Sequence, residues 1–203
     1  MKVGIFNLGI SNITSITNVL DSIGVVYNII NKKEDLANIS EKYILPGVGN
    51  FKAGMQYLED NQFSNFIVNK IYKDKIPILG ICLGMQLFFE NSEESLDIKG
   101  LSLISGQVKK LRASNDYNLT RVGWEKCDII NDFLGFKKDQ FFDGYFVHSY
   151  ECIANDKSII TMTSGDNKII SAINLNNIIY GCQFHPEKSS KFGIKLIENF
   201  LYC

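Results

Sequence analysis

In the first half of this chain, short β-rich runs alternate with helix-patterned stretches, and that alternation restricts the fold more than any other feature. KVGIF at 2–6, VVYNII at 25–30, YIL at 43–45 and ILGIC at 78–82 are rich in β-branched and large apolar residues. Between the first two, Ile13, Ile16, Val19, Leu20 and Ile23 recur at helical spacing, with Asn12 or Ser11 available as a cap. Residues 55–58 and 63–71 read as two further short helices. Such alternation predicts βαβ units and a parallel sheet covered by helices. Later runs at 101–111, 145–150, 158–163, 169–174 and 178–184 are separated by Asn, Asp, Ser and Gly, so strands follow strands until a closing helix near 190–201. The expectation is one α/β domain over 1–203, with a mostly parallel central sheet flanked by helices and an antiparallel extension in the second half.

The composition agrees with a single domain: 203 residues, 45% of them hydrophobic, suffice for one buried core, and no repeat or linker divides them. Twenty-one Lys and Arg against 22 Asp and Glu leave a net charge of −1 without a basic stretch, so nucleic acid is not an expected partner. No apolar run approaches the ~20 residues a membrane span requires, and MKVGIFNLGI is strand-like without a cleavage site. Five scattered cysteines, at 82, 127, 152, 182 and 203, do not form a disulfide framework. The expected location is cytoplasmic, with any special cysteine acting as nucleophile or ligand.

Residues 78–86, ILGICLGMQ, place Gly80-Ile81-Cys82-Leu83-Gly84 between an apolar strand and the helical pattern MQLFFE. This G-x-C-x-G is the thiol counterpart of the nucleophile elbow, whose glycines permit a sharp turn and a close helix approach. The helix N-terminus would favour the thiolate of Cys82 and supply donors for a developing oxyanion. A buried structural cysteine is the plainer reading of a Cys in an apolar run.

Only His148 and His185 are available as an imidazole base. In GCQFHPE, Pro186 biases His185 toward extended backbone, where Gln183, His185 and Glu187 share a face. Glu187 would then hold the tautomer of His185, giving Cys82, His185 and Glu187 as nucleophile, base and orienter. His148, inside the apolar YFVHSY, reads as a hydrogen-bonded strand residue. Cys182 and His185 have a C-x-x-H spacing, but alternation puts them on opposite faces and no second ligand pair exists, so no metal site is expected. Pro46-Gly47-Val48-Gly49 ends the third run in a turn able to present bare N–H groups; no dinucleotide or P-loop motif occurs.

PGVG, GICLGMQ and HPE stand in the order and spacing of the class I (triad) glutamine amidotransferases. With GLSLISGQVKKLR (100–112), Gly123-Trp124, YFVHSY (145–150) and HPEKS (185–189), the chain resembles, from end to end, the glutaminase subunits of imidazole glycerol phosphate synthases. The resemblance implies that Cys82 attacks the side-chain amide of L-glutamine, that His185 protonates the departing ammonia, and that Glu187 holds His185. It implies an oxyanion hole from the N–H groups of Leu83 and of Val48 or Gly49. It further implies substrate contacts at Gly49, Gln86, Ser149 and Tyr150, and no cofactor. It also implies an ammonia channel into a (β/α)₈ cyclase subunit, with Asn12, Trp124 and Lys188 near the interface. Relatives usually read P-H-x-G-W-N where this chain has Thr120-Arg121-Val122-Gly123-Trp124-Glu125, so Glu125 is expected to add a charge where the partner docks. The alternatives are a paralogous glutaminase serving a sugar-modifying amidotransferase of surface glycan synthesis, a non-catalytic regulatory subunit, and another Cys-His hydrolase such as a small peptidase.

Overall fold

The computed structural model describes residues 1–9, 11–112, 120–165 and 167–203. The first half follows the expected alternation: β1 (Lys2–Phe6), α1 (Ile13–Ser22), β2 (Val26–Ile30), β3 (Lys42–Gly47), α2 (Phe51–Asp60), α3 (Phe63–Tyr72) and β4 (Ile78–Cys82). After the short helical turn α4 (Leu83–Gln86) come β5 (Asn91–Ser92), β6 (Ser95–Lys99), β7 (Gly106–Lys110), β8 (Arg121–Ile129), β9 (Phe141–His148) and β10 (Tyr150–Ala154). β11 (Ile160–Ser164), β12 (Ile169–Leu175), β13 (Ile179–Cys182) and the closing α5 (Ser190–Tyr202) complete the chain.

The main sheet has the order β2-β1-β3-β4-β13-β12-β11-β8-β9. It is parallel from β2 to β13 and antiparallel beyond. A second sheet, β10-β7-β5-β6, lies beside it. Strand alternation sends side chains into two cores: Val3, Ile5, Ile44, Leu79 and Ile81 pack with α1 and α5, whereas Phe6, Tyr43, Leu45 and Ile78 pack with α2 and α3. Burial on both faces is why these parallel strands read as continuous apolar runs.

Several local expectations are corrected. The Asn12 side chain makes no cap bond on α1, and Ser11 Oγ donates instead to the Pro46 carbonyl at 2.9 Å, tying α1 to the end of β3. α2 begins at Phe51 because the Asn50 side chain accepts from the Ala53 N–H at 2.8 Å. The helix expected through MQLFFE stops at Gln86; Leu87, Phe88 and Phe89 are wholly buried in tight turns, with Phe88 N–H on Met85 O at 3.2 Å. Residues 101–104 are not strand but donate their N–H groups to the carbonyls of Leu87, Phe88 and Phe89. The run at 145–150 breaks at Ser149, where the chain leaves β9 in the main sheet and enters β10 in the second. β8, the longest strand among the described residues, does not show as a strand run in the sequence.

Candidate active site

β4 delivers Cys82 to the end of the parallel sheet with φ +53° and ψ −110°, a strained backbone for a residue with a side chain. The flanking glycines are required for this elbow. A Cβ on Gly80 would lie 2.7 Å from the Met85 nitrogen, and one on Gly84 would fall on the Leu45 carbonyl oxygen. α4 thus crosses β3 at backbone contact, which fixes the direction in which Cys82 points. Its thiol lies 3.8 Å from the Val147 carbonyl oxygen and 3.6 Å from Gln183 Nε2.

His185 follows β13, the strand paired in parallel with β4, so sheet topology alone brings residues about a hundred positions apart in sequence to one strand end. Its N–H donates to Tyr145 O at 2.9 Å, and its Nδ1 lies 2.8 Å from Glu187 Oε1, with both side chains buried. Extended alternation predicts Glu187 beside His185; the contact forms, but through a 3₁₀ turn at Pro186–Lys188 that swings the carboxylate back onto the ring. Burial by itself would depress the His185 pKa. Hydrogen bonding to Cys82 and Glu187, together with their charges, outweighs burial and raises it to about 10. His185 is therefore an imidazolium at neutral pH, a proton donor already in place.

His148 behaves differently. Burial lowers its pKa to about 4, and its Nδ1 lies 2.8 Å from Tyr150 O, so the neutral ring carries its proton there. This agrees with a hydrogen-bonded strand residue. Cys182 lies in the apolar core with Phe146 and Phe184, where burial raises its pKa well above the usual thiol range.

A cavity of about 290 Å³ opens on the thiol and collects all the expected oxyanion and substrate positions. Val48, Gly49, Leu83, Gln86, Ser149 and Tyr150 line it together with His185 and Lys188. Gly49 has φ +100°, a conformation that favours glycine, so its place in the PGVG turn is a backbone requirement. Three contributors escaped the sequence reading. Glu94, from the β5–β6 turn, lines the cavity and accepts the first N–H of α2, from Phe51, at 2.6 Å. Thr120 Oγ lies 2.8 Å from Ser149 Oγ. Gln183, on the predicted face with His185, lies 3.6 Å from the Cys82 sulfur through its Nε2. No motif marks Glu94, and Thr120 stands at the start of a segment read only for the partner face; the second sheet and the approach to β8 bring them to the cavity.

The expected interface residues are exposed. Trp124, 53% exposed, packs edge-on against Tyr145 at 5.7 Å, and Lys188 Nζ lies 5.7 Å from the same ring. Asn12 precedes α1, which packs against the 186–188 turn. The expectation that Glu125 charges this face is overturned. Glu125 points to the opposite face of β8 from Trp124 and ion-pairs with Arg121, whose side chain is fully buried. That guanidinium also bonds Ser164 Oγ at 3.1 Å and lies 4.8 Å from the Phe146 ring.

A strand-end cysteine on a strained elbow, beside a buried imidazole–carboxylate pair, is the arrangement of α/β enzymes that work through a thiol nucleophile. The chain belongs to the glutamine amidotransferase class-I family, whose model matches residues 5–203. Among curated proteins it is 41% identical to imidazole glycerol phosphate synthase subunit HisH 2 of Methanococcus maripaludis, over 98% of both chains. It is 38% identical to subunit HisH of Thermotoga maritima, covering all of this chain and 98% of that one. Among solved structures, a glutamine amidotransferase superposes with a TM-score of 0.77 at 16% identity, covering 98% of this chain and 97% of the other. PurLQS from Thermotoga maritima superposes with a TM-score of 0.74 at 18% identity, covering 99% and 97%; at such identities the likeness is one of fold.

Proposed function

We propose that this chain is the glutaminase subunit of an imidazole glycerol phosphate synthase of histidine biosynthesis. It converts L-glutamine to glutamate and passes the ammonia to a (β/α)₈ cyclase subunit. The observation that carries the reading is the meeting, on one cavity, of the Cys82 elbow with the His185–Glu187 pair. The near full-length similarity to relatives named subunit HisH supports the choice of pathway.

Cys82 Sγ adds to the amide carbon of glutamine, and the oxyanion is received by the N–H of Leu83 and that of Val48 or Gly49. The His185 imidazolium gives its proton to the leaving nitrogen, and the tetrahedral adduct collapses to the thioester as the C–N bond breaks and ammonia departs. Neutral His185 then takes a proton from water, which attacks the thioester carbon; collapse releases glutamate and returns the Cys82 thiolate beside the His185 imidazolium. Glu187 keeps the Nδ1 proton in place throughout. Gly49, Gln86, Ser149 and Tyr150 hold the substrate, and the Glu94 carboxylate complements its α-ammonium group. Thiol, imidazole and backbone donors cover both half-reactions without a cofactor.

The cyclase docks on the face carrying Trp124, Lys188 and Asn12, and forms imidazole glycerol phosphate and an aminoimidazole ribonucleotide. Because Arg121 and Glu125 neutralise each other beneath that face, the departure from the usual segment leaves its outward charge unchanged. This favours the histidine pathway over the glycan branch. Among the described residues, no helix is long and apolar enough to cross a membrane.

Reconstitution tests the reading: chain, cyclase, glutamine and the ribulosyl intermediate together yield imidazole glycerol phosphate. Recovery of a sugar amidotransferase from the native host, without the cyclase, would overturn it. A glutamine-analogue alkylator labels Cys82 in the complex; a chain inert to it with its partner bound would point to a regulatory subunit.

A further inference from the structure

Gln183 is wholly buried, one residue beyond β13, and no step above uses it. A buried primary amide has two donors and an acceptor to satisfy, so its partners define its orientation. The chain of partners begins at a backbone carbonyl. Tyr150 O can only accept, and Gln86 approaches it at 3.2 Å, so the atom that Gln86 presents there is its nitrogen, Nε2. The second Nε2 hydrogen is directed to Gln183 at 3.0 Å, and the receiving atom must be the acceptor, Oε1. Gln183 Nε2 is thereby turned to the opposite side, where it meets Cys82 Sγ at 3.6 Å. Flipping either amide would set oxygen against oxygen or nitrogen against nitrogen.

We propose that Gln183 is a positioning residue for the nucleophile: its amide N–H donates to Cys82 Sγ, holds the thiol rotamer toward the cavity, and links it to the substrate wall through Gln86 and Tyr150. The inference deepens the glutaminase reading and rests on it for its catalytic consequence. The donor is most effective when the sulfur carries charge, since hydrogen bonds to ionised groups are roughly twice as strong as neutral ones. It therefore favours the thiolate before attack and the thiolate leaving when the thioester is hydrolysed. His185 is left free to handle the substrate's protons. The wall residues Gln86 and Tyr150 are themselves expected to contact glutamine, so occupancy of the cavity bears directly on the group that orients the sulfur. His185 and Cys152 interact electrostatically with Cys82, His148 and Glu94 line the same cavity, and none of the four belongs to this amide chain.

Two variants of nearly the same size test it. Gln183→Met removes both polar atoms. Gln183→Glu keeps an oxygen for Gln86 and replaces the donor facing sulfur with a second oxygen. Iodoacetamide alkylation of Cys82 is followed against pH, with Cys82→Ala as the blank, and steady-state glutaminase is measured in the partner complex. The expected result is an alkylation profile displaced upward by about one pH unit in Gln183→Met and further in Gln183→Glu. A kcat reduced about 10- to 100-fold accompanies it, with KM for glutamine within about threefold of the parent. Profiles superposable with the parent in a folded variant would overturn the proposal, as would a loss confined to KM. If Gln183→Met does not fold, Gln183→Glu decides by the same criteria. The alkylation arm needs no glutamine turnover, so a parent complex without glutaminase activity would refute the functional reading while the profiles still judged the hydrogen bond.

Discussion

Replacing Glu125 by Asn removes the carboxylate that neutralises Arg121 while the guanidinium stays fully buried. Breaking a buried pair from one side typically costs ~3–5 kcal/mol, because the remaining charge has left water without compensation. Here the Glu125 side chain is 21% exposed and Arg121 keeps Ser164 and the Phe146 ring, so the cost falls somewhat below that range. We expect about 2–3 kcal/mol for Glu125→Asn. Arg121→His leaves a carboxylate that can turn to water but loses the packing of the long side chain, at about 2 kcal/mol. The double variant Arg121→His/Glu125→Asn puts a neutral pair in place of the ion pair and sheds both charges, leaving only the packing loss of about 1–2 kcal/mol. Two-state urea denaturation reads these differences. With an m-value of about 2 kcal/mol per molar, Glu125→Asn lowers the midpoint by ~1 M, and the double variant falls no further than either single one. Single costs that sum to the double cost within ~0.5 kcal/mol would refute an internal ion pair.

Glu187→Gln takes away the carboxylate that holds His185 and helps to raise its pKa. Glutaminase kcat in the complex is expected to fall ~10- to 150-fold, the worth of a charge-assisted hydrogen bond, and unchanged turnover would contradict the orienting role. His148, with its pKa lowered to about 4, stays neutral in the folded protein where the unfolded chain is already protonated, so stability falls as pH drops from about 6.5 toward 4. The loss is about 3 kcal/mol, less what Glu151 returns, since burial raises its pKa and gives the opposite sign. His185 has a raised pKa and is protonated in both states below pH 6.5, so its own contribution fades only as pH climbs toward 10. Thermal melts of the parent and His148→Gln across pH 4–7 check this, the variant losing most of the slope. The isolated chain is expected to show low glutaminase activity that rises on adding cyclase and acceptor, because Val48 is 39% exposed in a turn that a partner can hold in one arrangement. Full activity of the chain alone would contradict that expectation.

The parallel half of the fold was legible because β1, β3 and β4 are buried on both faces and its helices are amphipathic. The elbow was legible because only glycine fits where Gly80 meets the start of α4 and Gly84 meets β3. β8 was hidden by its own chemistry. Arg121 and Glu125 lie on its inward face and Val122 and Trp124 on its outward face, so over 121–125 the apolar alternation that announces a strand is inverted, and only Cys127 and Ile129 keep it. The end of α4 was hidden for a related reason: Leu83, Met85, Leu87, Phe88 and Phe89 are buried on every side and leave no polar face to mark a boundary. Glu187 was found through its spacing from His185, although a 3₁₀ turn and not a strand supplies the contact. Glu94 and Thr120 reach the cavity only through long-range pairing, which no local pattern announces.

The account turns on Cys82 as the source of ammonia for a partner's synthesis. The decisive measurement compares Cys82→Ala with the parent in the reconstituted complex, supplying nitrogen either as glutamine or as an ammonium salt. The account predicts that the variant forms no imidazole glycerol phosphate from glutamine yet matches the parent with ammonium. Undiminished glutamine-dependent synthesis by Cys82→Ala would contradict it.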